Sequence, residues 1–443
     1  MNNNYYNDRI DSNNNNNYNH THNLESITKT DIDNNNKNEI LFFSVWRNKY
    51  LLNEIQRHHR LYNENKIINI DKSMDQLRYH PHRRYATEII IDVDEPLEPH
   101  GQLIPYESIA ELSMNKFDHP LSNSVSALHS LKLLSLPRFN QEISIQTFPH
   151  SIETLLFNSF NKVIKPNVLP PSITRFNLDA YNHPPSDEIK PNELPSIKIL
   201  SLNKYNHPLS DGVLPESITV LRMGNFNHPL SNSLLTLHSL KVLDLPLFYQ
   251  VIKPNELPPS ITELILNAYN HPLEPQVIPS NVEKLKLTSY NCNLGKHLFP
   301  NTLQHLVISN HSKDLFENDL PSSITELYFE SNIGYTLNPI RFQTHSIPPS
   351  VKKLILPINH SQPLQVGTIP NSVVDLQLPK YYSHPLQVGV LPESLTKLTL
   401  RKGFNQPIDP ATIPQSVTQI SLPNNYKRPI PKSLLNIKLN TRD

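Results

Sequence analysis

Hydrophobic positions recur along most of the chain in a fixed order. After a polar residue, apolar side chains stand at positions +1, +4 and +6, as where Ser217 precedes Ile218, Leu221 and Met223. The last two alternate with an outward residue, a period of two that is typical of a short strand with one buried face. We therefore predict one strand at positions +4 to +6 of every such unit.

The polar residue that opens this pattern, here called the register residue, defines sixteen units. It stands at Ser108, Ser130, Ser151, Ser172, Ser196, Ser217, Ser239, Ser260, Asn281, Thr302, Ser323, Ser350, Ser372, Ser394, Ser416 and Ser433. Most intervals are 21 or 22 residues, and so short a unit cannot bury a core alone. The units must therefore stack, and strands stacked in the same sense form a parallel sheet.

The other half of each unit is rich in proline, which fixes φ and removes an N–H group, so this half should be extended or turn-like. It carries an aromatic-Asn-x-Pro-Leu/Ile motif, seen as YNHPL at 205, FNHPL at 226, YNHPL at 269 and FNQPI at 404. The motif resembles the FNIP repeat, a leucine-rich-repeat relative of social amoebae. The resemblance covers about residues 93–439. It implies a mainly β, leucine-rich-repeat-like solenoid with one parallel strand per repeat, and it supplies neither a reaction nor a ligand.

Three regions follow from composition. Residues 1–38 contain runs of Asn and few apolar residues, so we expect a disordered Asn-rich tail, either passive or self-associating through Asn contacts. Residues 39–92 should form a helical cap and a connector with two short strand candidates. Residues 93–443 form the repeat solenoid.

The segment 39–63 reads as one amphipathic helix, with Phe42 and Trp46 beside its apolar stripe. One interpretation is a cap that covers the open hydrophobic end of the solenoid. The other is a docking helix, because Val45-Trp46-Arg47 resembles the end of an F-box, the module that recruits a ubiquitin ligase core. That resemblance implies a substrate adaptor with a ligase subunit as partner, although the Leu-Pro start of the module is missing.

Charge and composition argue against several classes of partner. Lys plus Arg and Asp plus Glu both number 40, so no basic excess favours nucleic acid. No apolar run approaches the 18 residues that a membrane-spanning helix needs. The single cysteine, Cys292, fits a reducing compartment. We expect an intracellular, cytoplasmic protein that binds other proteins.

Enzyme signatures are missing from the sequence. The 8 glycines form neither GxGxxG nor GxxxxGK[ST], and neither GxSxG nor HExxH occurs. Histidines follow the motif Asn on consecutive units, as at His183, His207 and His228, where they are either loop residues or metal ligands. No Cys or carboxylate recurs beside them, which favours loop residues. We predict a non-enzymatic scaffold without a cofactor.

Candidate partner-binding residues come from two features. Position +5 carries Ile265, Val307, Tyr328 and Ile355, large apolar groups on a face that should meet solvent. The longest interval, 27 residues from Ser323 to Ser350, adds Arg341 and Phe342, residue types that are enriched at interfaces. This insertion is either a binding loop or a neutral one, since long surface loops cost little.

Two repeated polar positions receive structural interpretations. The motif Asn should form a ladder in which each amide bonds the backbone of the next coil. Position +3 reads Glu263, Lys284, His305, Glu326 and Lys353 on successive units, a ladder of charges that should fix the register of neighbouring strands.

Overall fold

The computed structural model describes residues 48–442, apart from residues 99–102, 122, 124, 166, 185–194, 310, 330–339, 341, 359 and 361. It comprises two compact units that divide between Glu64 and Asn65. The predicted tail, 1–38, lies outside the described residues, as do Phe42, Trp46 and Arg341.

Helix α1, Lys49–Asn65, covers the later part of the segment 39–63, where the sequence predicts one helix, and residues 39–47 lie outside the described residues. The non-helical Asn48 precedes α1, so the predicted single helix is interrupted there. Asn48 caps it, since its side-chain oxygen accepts from the backbone N–H of Tyr50 at 3.0 Å. Leu51 and Ile55 are exposed on successive turns, at 39% and 50%. The predicted capping role of this helix stays a prediction.

The second unit is built on eighteen described parallel strands, each paired with the next along the chain from β1 to β18. The strands are β1 Ile67–Ile70, β2 Glu88–Ile91, β3 Glu111–Met114, β4 Leu133–Ser135, β5 Thr154–Phe157, β6 Arg175–Leu178, β7 Ile199–Ser201, β8 Val220–Arg222, β9 Val242–Asp244, β10 Glu263–Ile265, β11 Lys284–Leu287, β12 His305–Ile308, β13 Glu326–Tyr328, β14 Lys353–Ile355, β15 Asp375–Gln377, β16 Lys397–Thr399, β17 Gln419–Pro423 and β18 Lys438–Arg442. A short helix α2, Asp75–Arg78, and 3-10 turns at Arg83–Tyr85, Pro410–Thr412 and Lys432–Leu434 complete the regular structure described. The predicted parallel solenoid with one strand per repeat is confirmed.

The strands begin one residue earlier than the sequence pattern predicts, at position +3. In the unit of Ser260 the strand is Glu263–Ile265, and the buried Leu264 is its central residue. The apolar residues at positions +4 and +6 face inward. The hydrogen-bonded strand, however, spans positions +3 to +5 and is centred on position +4. Reading the strand from the apolar alternation alone therefore places it one residue late.

The N-terminal end of the sheet agrees with the sequence pattern and the C-terminal end does not. Strands β1 and β2 coincide with the two strand candidates of the connector, and both pair into the sheet, which starts at Ile67. At the other end, Lys438 pairs with Gln419, a +3 position. The register residue of the last unit is therefore Leu435 and not Ser433, because the cross-strand pairing fixes the register and serine at 433 only resembles it.

The core contains a column of rings, here called the aromatic column, made by the first residue of each repeat motif. Its described ring members are Phe117, Phe139, Phe160, Tyr181, Tyr205, Phe226, Phe248, Tyr269, Tyr290, His311, His360, Tyr382, Phe404 and Tyr426. Phe226 and Phe248 stack at 6.2 Å between ring centroids with 7° between their planes. Offset stacking of this kind adds about 0.5–1.5 kcal/mol per pair to the burial itself.

Polar side chains join each coil to the one before it at two positions. The hydroxyl of the register residue Ser217 donates to the backbone oxygen of Ile197 at 2.9 Å, which explains why Ser and Thr recur there. The predicted Asn ladder is confirmed: Asn206 Oδ1 accepts from the backbone N–H of Asn227 at 3.0 Å. It is interrupted at Tyr249, which donates to Asn227 Oδ1 but carries no amide, and it resumes at Asn270, whose Oδ1 accepts from the backbone N–H of Asn291 at 2.8 Å.

We expect Leu264→Ala to lower the free energy of unfolding by ~2–5 kcal/mol, because Leu264 is fully buried and pairs with Leu243 and Leu285 on the neighbouring strands. Lys286→Ala, on the outward +5 position of the next strand, should change it by less than about 0.5 kcal/mol. Urea unfolding of both variants tests this, and equal losses would show that the inward and outward positions are wrongly assigned.

Candidate partner-binding face

Side chains at positions +3 and +5 of every strand point away from the core, and together they form what we call the strand face. Because the strands are in register, equivalent residues stand side by side at the ~4.8 Å spacing of neighbouring strands. The face therefore consists of two parallel columns, one for each position, that run across the sheet.

The +3 column contains the ladder of charges that the sequence predicts. Lys397 Nζ lies 2.8 Å from Asp375 Oδ2, while Lys284 Nζ lies 3.9 Å from Glu263 Oε2. These pairs join adjacent strands, so they favour the observed register. Each contributes little to stability because water reaches both partners.

An apolar strip lies on the strand face of β7–β10. It consists of Ile199, Val220 and Val242 in the +3 column and Ile265 in the +5 column, all half-buried. Ile199 pairs with Val220, which pairs with Val242, so three β-branched side chains are contiguous. Contiguous apolar side chains on an outward face are typical of binding surfaces.

Charged residues border the apolar strip at position +5. Arg222 pairs with Asp244, and Asp244 pairs with Ile265. Burial raises the pKa of the Asp244 carboxyl, while the positive charges of Arg222 and Lys286 partly oppose that shift. An apolar centre with a charged border is the usual anatomy of a protein–protein interface.

A second group of side chains, here called the tyrosine cluster, occupies the strand face of β12–β14. The Tyr328 hydroxyl donates to Glu326 Oε2 at 2.5 Å, and His305 Nδ1 lies 2.9 Å from the same oxygen. Lys353 Nζ stands 5.0 Å from the centroid of the Tyr328 ring. The hydrogen bond from Tyr328 is the main cause that lowers the pKa of Glu326, followed in the same direction by His305.

Two of the +5 residues are buried, although the sequence predicts that they are exposed. Tyr328 is only 6% exposed and Val307 only 7%, so the expectation that both meet solvent is wrong. For Tyr328 the reason is that His305 and Lys353 cover the ring from the neighbouring strands. Ile355 is half-buried.

Phe342 of the insertion also lies inward. Its ring packs edge-on against Phe329, with centroids 5.7 Å apart, and against His360 at 5.3 Å. It is therefore partly buried against the core rather than presented on a loop. The partner-binding roles of Tyr328, Ile355, Phe342 and of Arg341, Phe42 and Trp46 beyond the described residues stay predictions.

The loop histidines have a structural role in the described coils. His207 Nε2 lies 3.0 Å from the backbone oxygen of Asn182, and His228 Nε2 lies 2.9 Å from that of Asn206. Each ring thus bridges to the preceding coil instead of pointing at its neighbour. Among the residues that the structure describes, no group of three His, Cys, Asp or Glu side chains is placed to hold a metal ion.

The turn side of the coils carries an open groove of about 690 Å³ beside β12–β15. It is lined by Phe299, Leu320 and Ile347, each followed by proline. Its buried acid, Asp319, is already engaged, since its Oδ2 accepts from the backbone N–H of Phe316 at 2.8 Å.

The repeats match a known family along much of the solenoid. The FNIP Repeat model matches residues 185–226, 205–247, 248–289, 269–311, 341–381, 359–403, 382–425 and 404–442, which together cover just over half of the chain. The chain belongs to the FNIP repeat family. None of the curated proteins compared with it matches its sequence.

Solved structures similar to this FNIP repeat protein show the same type of fold. The crystal structure of CroV588, a circular leucine-rich-repeat protein, is 24% identical with a TM-score of 0.67, over 85% of this chain and 59% of that one. A complex of TLR13 with ssRNA13 is 18% identical with a TM-score of 0.54, over 84% and 60%. The chain thus spans about six tenths of the length of each.

A membrane-spanning helix must be both long and apolar. None of the helices in the described ranges has both the length and the apolar character needed to cross a bilayer.

We expect Glu326→Gln to lower the free energy of unfolding by about 0.5–1.5 kcal/mol at pH 7, because it removes a charged acceptor of two hydrogen bonds that remains partly exposed to solvent. A carboxyl whose pKa is lowered on folding stabilises the protein above its unfolded pKa, and that contribution is lost as the pH falls through the folded value. The difference between variant and wild type should therefore shrink below about pH 4.5.

Glu263→Gln is the matched control, since Glu263 occupies the same column and has only a distant lysine partner. Urea unfolding at pH 7 and at pH 4 compares the two. Equal losses at pH 7 would show that the tyrosine cluster adds nothing to an ordinary surface pair.

Proposed function

We propose that this FNIP repeat protein is a non-enzymatic scaffold that binds a protein partner on its strand face. The observation that carries the proposal is the apolar strip of Ile199, Val220, Val242 and Ile265, which stands half-exposed at adjacent places on a rigid sheet. A partner that covered it would remove contiguous β-branched surface from water at about 25 cal/mol per Å².

The residues around the strip support a protein partner in particular. Arg222 and Asp244 bring opposite charges to its border, and the chain has no net charge, so the face suits mixed polar and apolar surfaces. The tyrosine cluster, with Tyr328 and Ile355, adds a second contact region farther along the same face. We further propose an intracellular, cytoplasmic location, which the single cysteine supports.

A second candidate is a substrate adaptor in which the 39–63 segment docks a ubiquitin ligase core. Its support is the exposed apolar side of α1, where Leu51, Ile55 and Tyr62 are 39%, 50% and 40% exposed. An amphipathic helix with such a face is suited to a hydrophobic groove on a partner. The F-box-like run Val45-Trp46-Arg47 lies outside the described residues.

Quantitative affinity purification of the tagged chain tests the two proposals together. The strand-face variant Val220→Lys with Val242→Glu extends the natural ladder of charges into the strip, so the fold should persist. We expect it to reduce recovery of the main partner at least tenfold, because it places charges where apolar contact is required. Circular dichroism and thermal unfolding confirm folding.

Val366→Lys with Val388→Glu is the matched control, since these two valines are 62% and 66% exposed on the turn side of neighbouring coils. It should leave partner recovery unchanged. A Leu51→Ala, Ile55→Ala variant separates the adaptor role. Loss of ligase subunits in that variant alone would favour the adaptor, and full recovery with the strand-face variant would exclude the strip as the binding surface.

A further inference from the structure

Two members of the aromatic column are histidines, where the other described rings are Phe or Tyr. His311 is 2% exposed and stacks on Tyr290 with ring centroids 6.5 Å apart and 6° between planes. His360 is 5% exposed and packs against Phe342. Both rings therefore fill core positions that are otherwise apolar.

The hydrogen bonds show which ring nitrogen carries the proton when each histidine is neutral. His311 Nδ1 lies 3.1 Å from the backbone oxygen of Tyr290, and His360 Nδ1 lies 3.0 Å from that of Ile340. Because a carbonyl accepts, Nδ1 must carry the proton. Nε2 of each ring is buried and has no hydrogen-bond partner within the described residues.

Protonation would place an N–H and a positive charge at each buried Nε2, where no described acceptor compensates them. The titratable neighbours do not help. Lys313 adds a repelling positive charge near His311, and His384 does so near His360. The backbone oxygen of Tyr290 opposes these effects at His311, and the backbone groups of Ile340 and Gln362 oppose them at His360. Burial is the largest effect and lowers the pKa of both rings.

We propose that His311 and His360 form a pH-sensitive switch, which opens the coils of β13 and β14 in mild acid while distant coils stay folded. These two strands lie between the histidines along the chain. They also carry Glu326, Tyr328 and Lys353, so opening them would dismantle the tyrosine cluster. Coils of a solenoid contact only their neighbours, which allows one region to open locally.

The sign and size follow from proton linkage. A histidine that is neutral in the folded coil and titrates near pH 6.5 when exposed stabilises the coil fully above that pH and progressively less below it. At pH 5.5, one unit below, each histidine should raise the opening equilibrium about tenfold relative to pH 7.5. Coils that depend on both histidines should show up to about a hundredfold increase.

Hydrogen exchange of the full chain at pH 7.5 and pH 5.5, corrected for the intrinsic pH dependence, tests the proposal. We expect the amides of β13 and β14 to open at least tenfold more at pH 5.5, and those of β8 and β9 to change less than twofold. His311→Phe and His360→Phe should each remove part of the difference, and the double variant should remove it. Phe is the residue that other coils place in this column, as at Phe248 and Phe404.

Tyr269→Phe is the matched control, because it alters a ring of the same column without changing a group that titrates in this range. It should keep the full acid response. If a Phe variant does not fold, His311→Tyr replaces it, and ¹⁵N chemical shifts of the two wild-type rings should report the Nδ1-protonated neutral form down to pH 5.5. An equal response in all coils, an acid response that survives the double variant, or rings that protonate in the folded chain would each overturn the proposal.

Discussion

The contact of each coil with the next is the interaction on which this structure depends. A unit of about twenty residues buries almost nothing by itself, whereas stacking gives every inward side chain a partner on both sides. Leu264 lies between Leu243 and Leu285, and Phe226 lies beside Phe248. Stability is therefore a sum of neighbour contacts, and a defect in one coil is felt mainly by the coils beside it.

The same constraint explains the polar residues of the repeat. A coil that turns every few residues leaves many backbone groups without a strand partner, and buried groups of this kind must be satisfied. The register hydroxyl and the loop histidines bond the backbone of the preceding coil, as Ser217 and His228 show, whereas the motif Asn accepts from the backbone of the following coil, as Asn206 shows. A single serine, asparagine or histidine could suggest a catalytic or metal-binding role. Because each type recurs at the same position of successive coils and bonds a neighbouring backbone, its role is structural.

The inward half of the structure was predictable because burial repeats with the unit. Ile218, Leu221 and Met223 are all buried as their spacing implied. The strand start was placed one residue late because alternation identifies inward residues and not hydrogen-bonded ones. A further feature was missed: the backbone five residues before the register residue is left-handed on several described coils. Gly367 and Asn255 are residue types that favour this conformation, but His297 and Gln276 occupy the same position, which weakens the sequence signal.

The candidate site was harder to predict because exposure on the strand face depends on the neighbours rather than on the residue. Tyr328 looked exposed at position +5, yet His305 and Lys353 cover it from adjacent strands. The apolar strip of Ile199, Val220 and Val242 was not predicted. These residues occupy position +3, which carries charged side chains on the later coils and was therefore expected to be polar. Each column holds residues of several kinds, and only the register between coils shows which of them meet.

The outward columns can vary freely for the same reason that the inward ones cannot. An inward residue contacts the coils on both sides. His311, in a column of Phe and Tyr, therefore introduces a buried polar nitrogen whose protonation would destabilise the coils that surround it. An outward residue such as Val220 or Lys284 faces solvent, and exchanging one for the other leaves the stack intact. A solenoid of this type can therefore change the residues of its strand face without changing its fold. This explains why the family motif lies in the turns and the core, whereas the residues of the strand face differ from coil to coil.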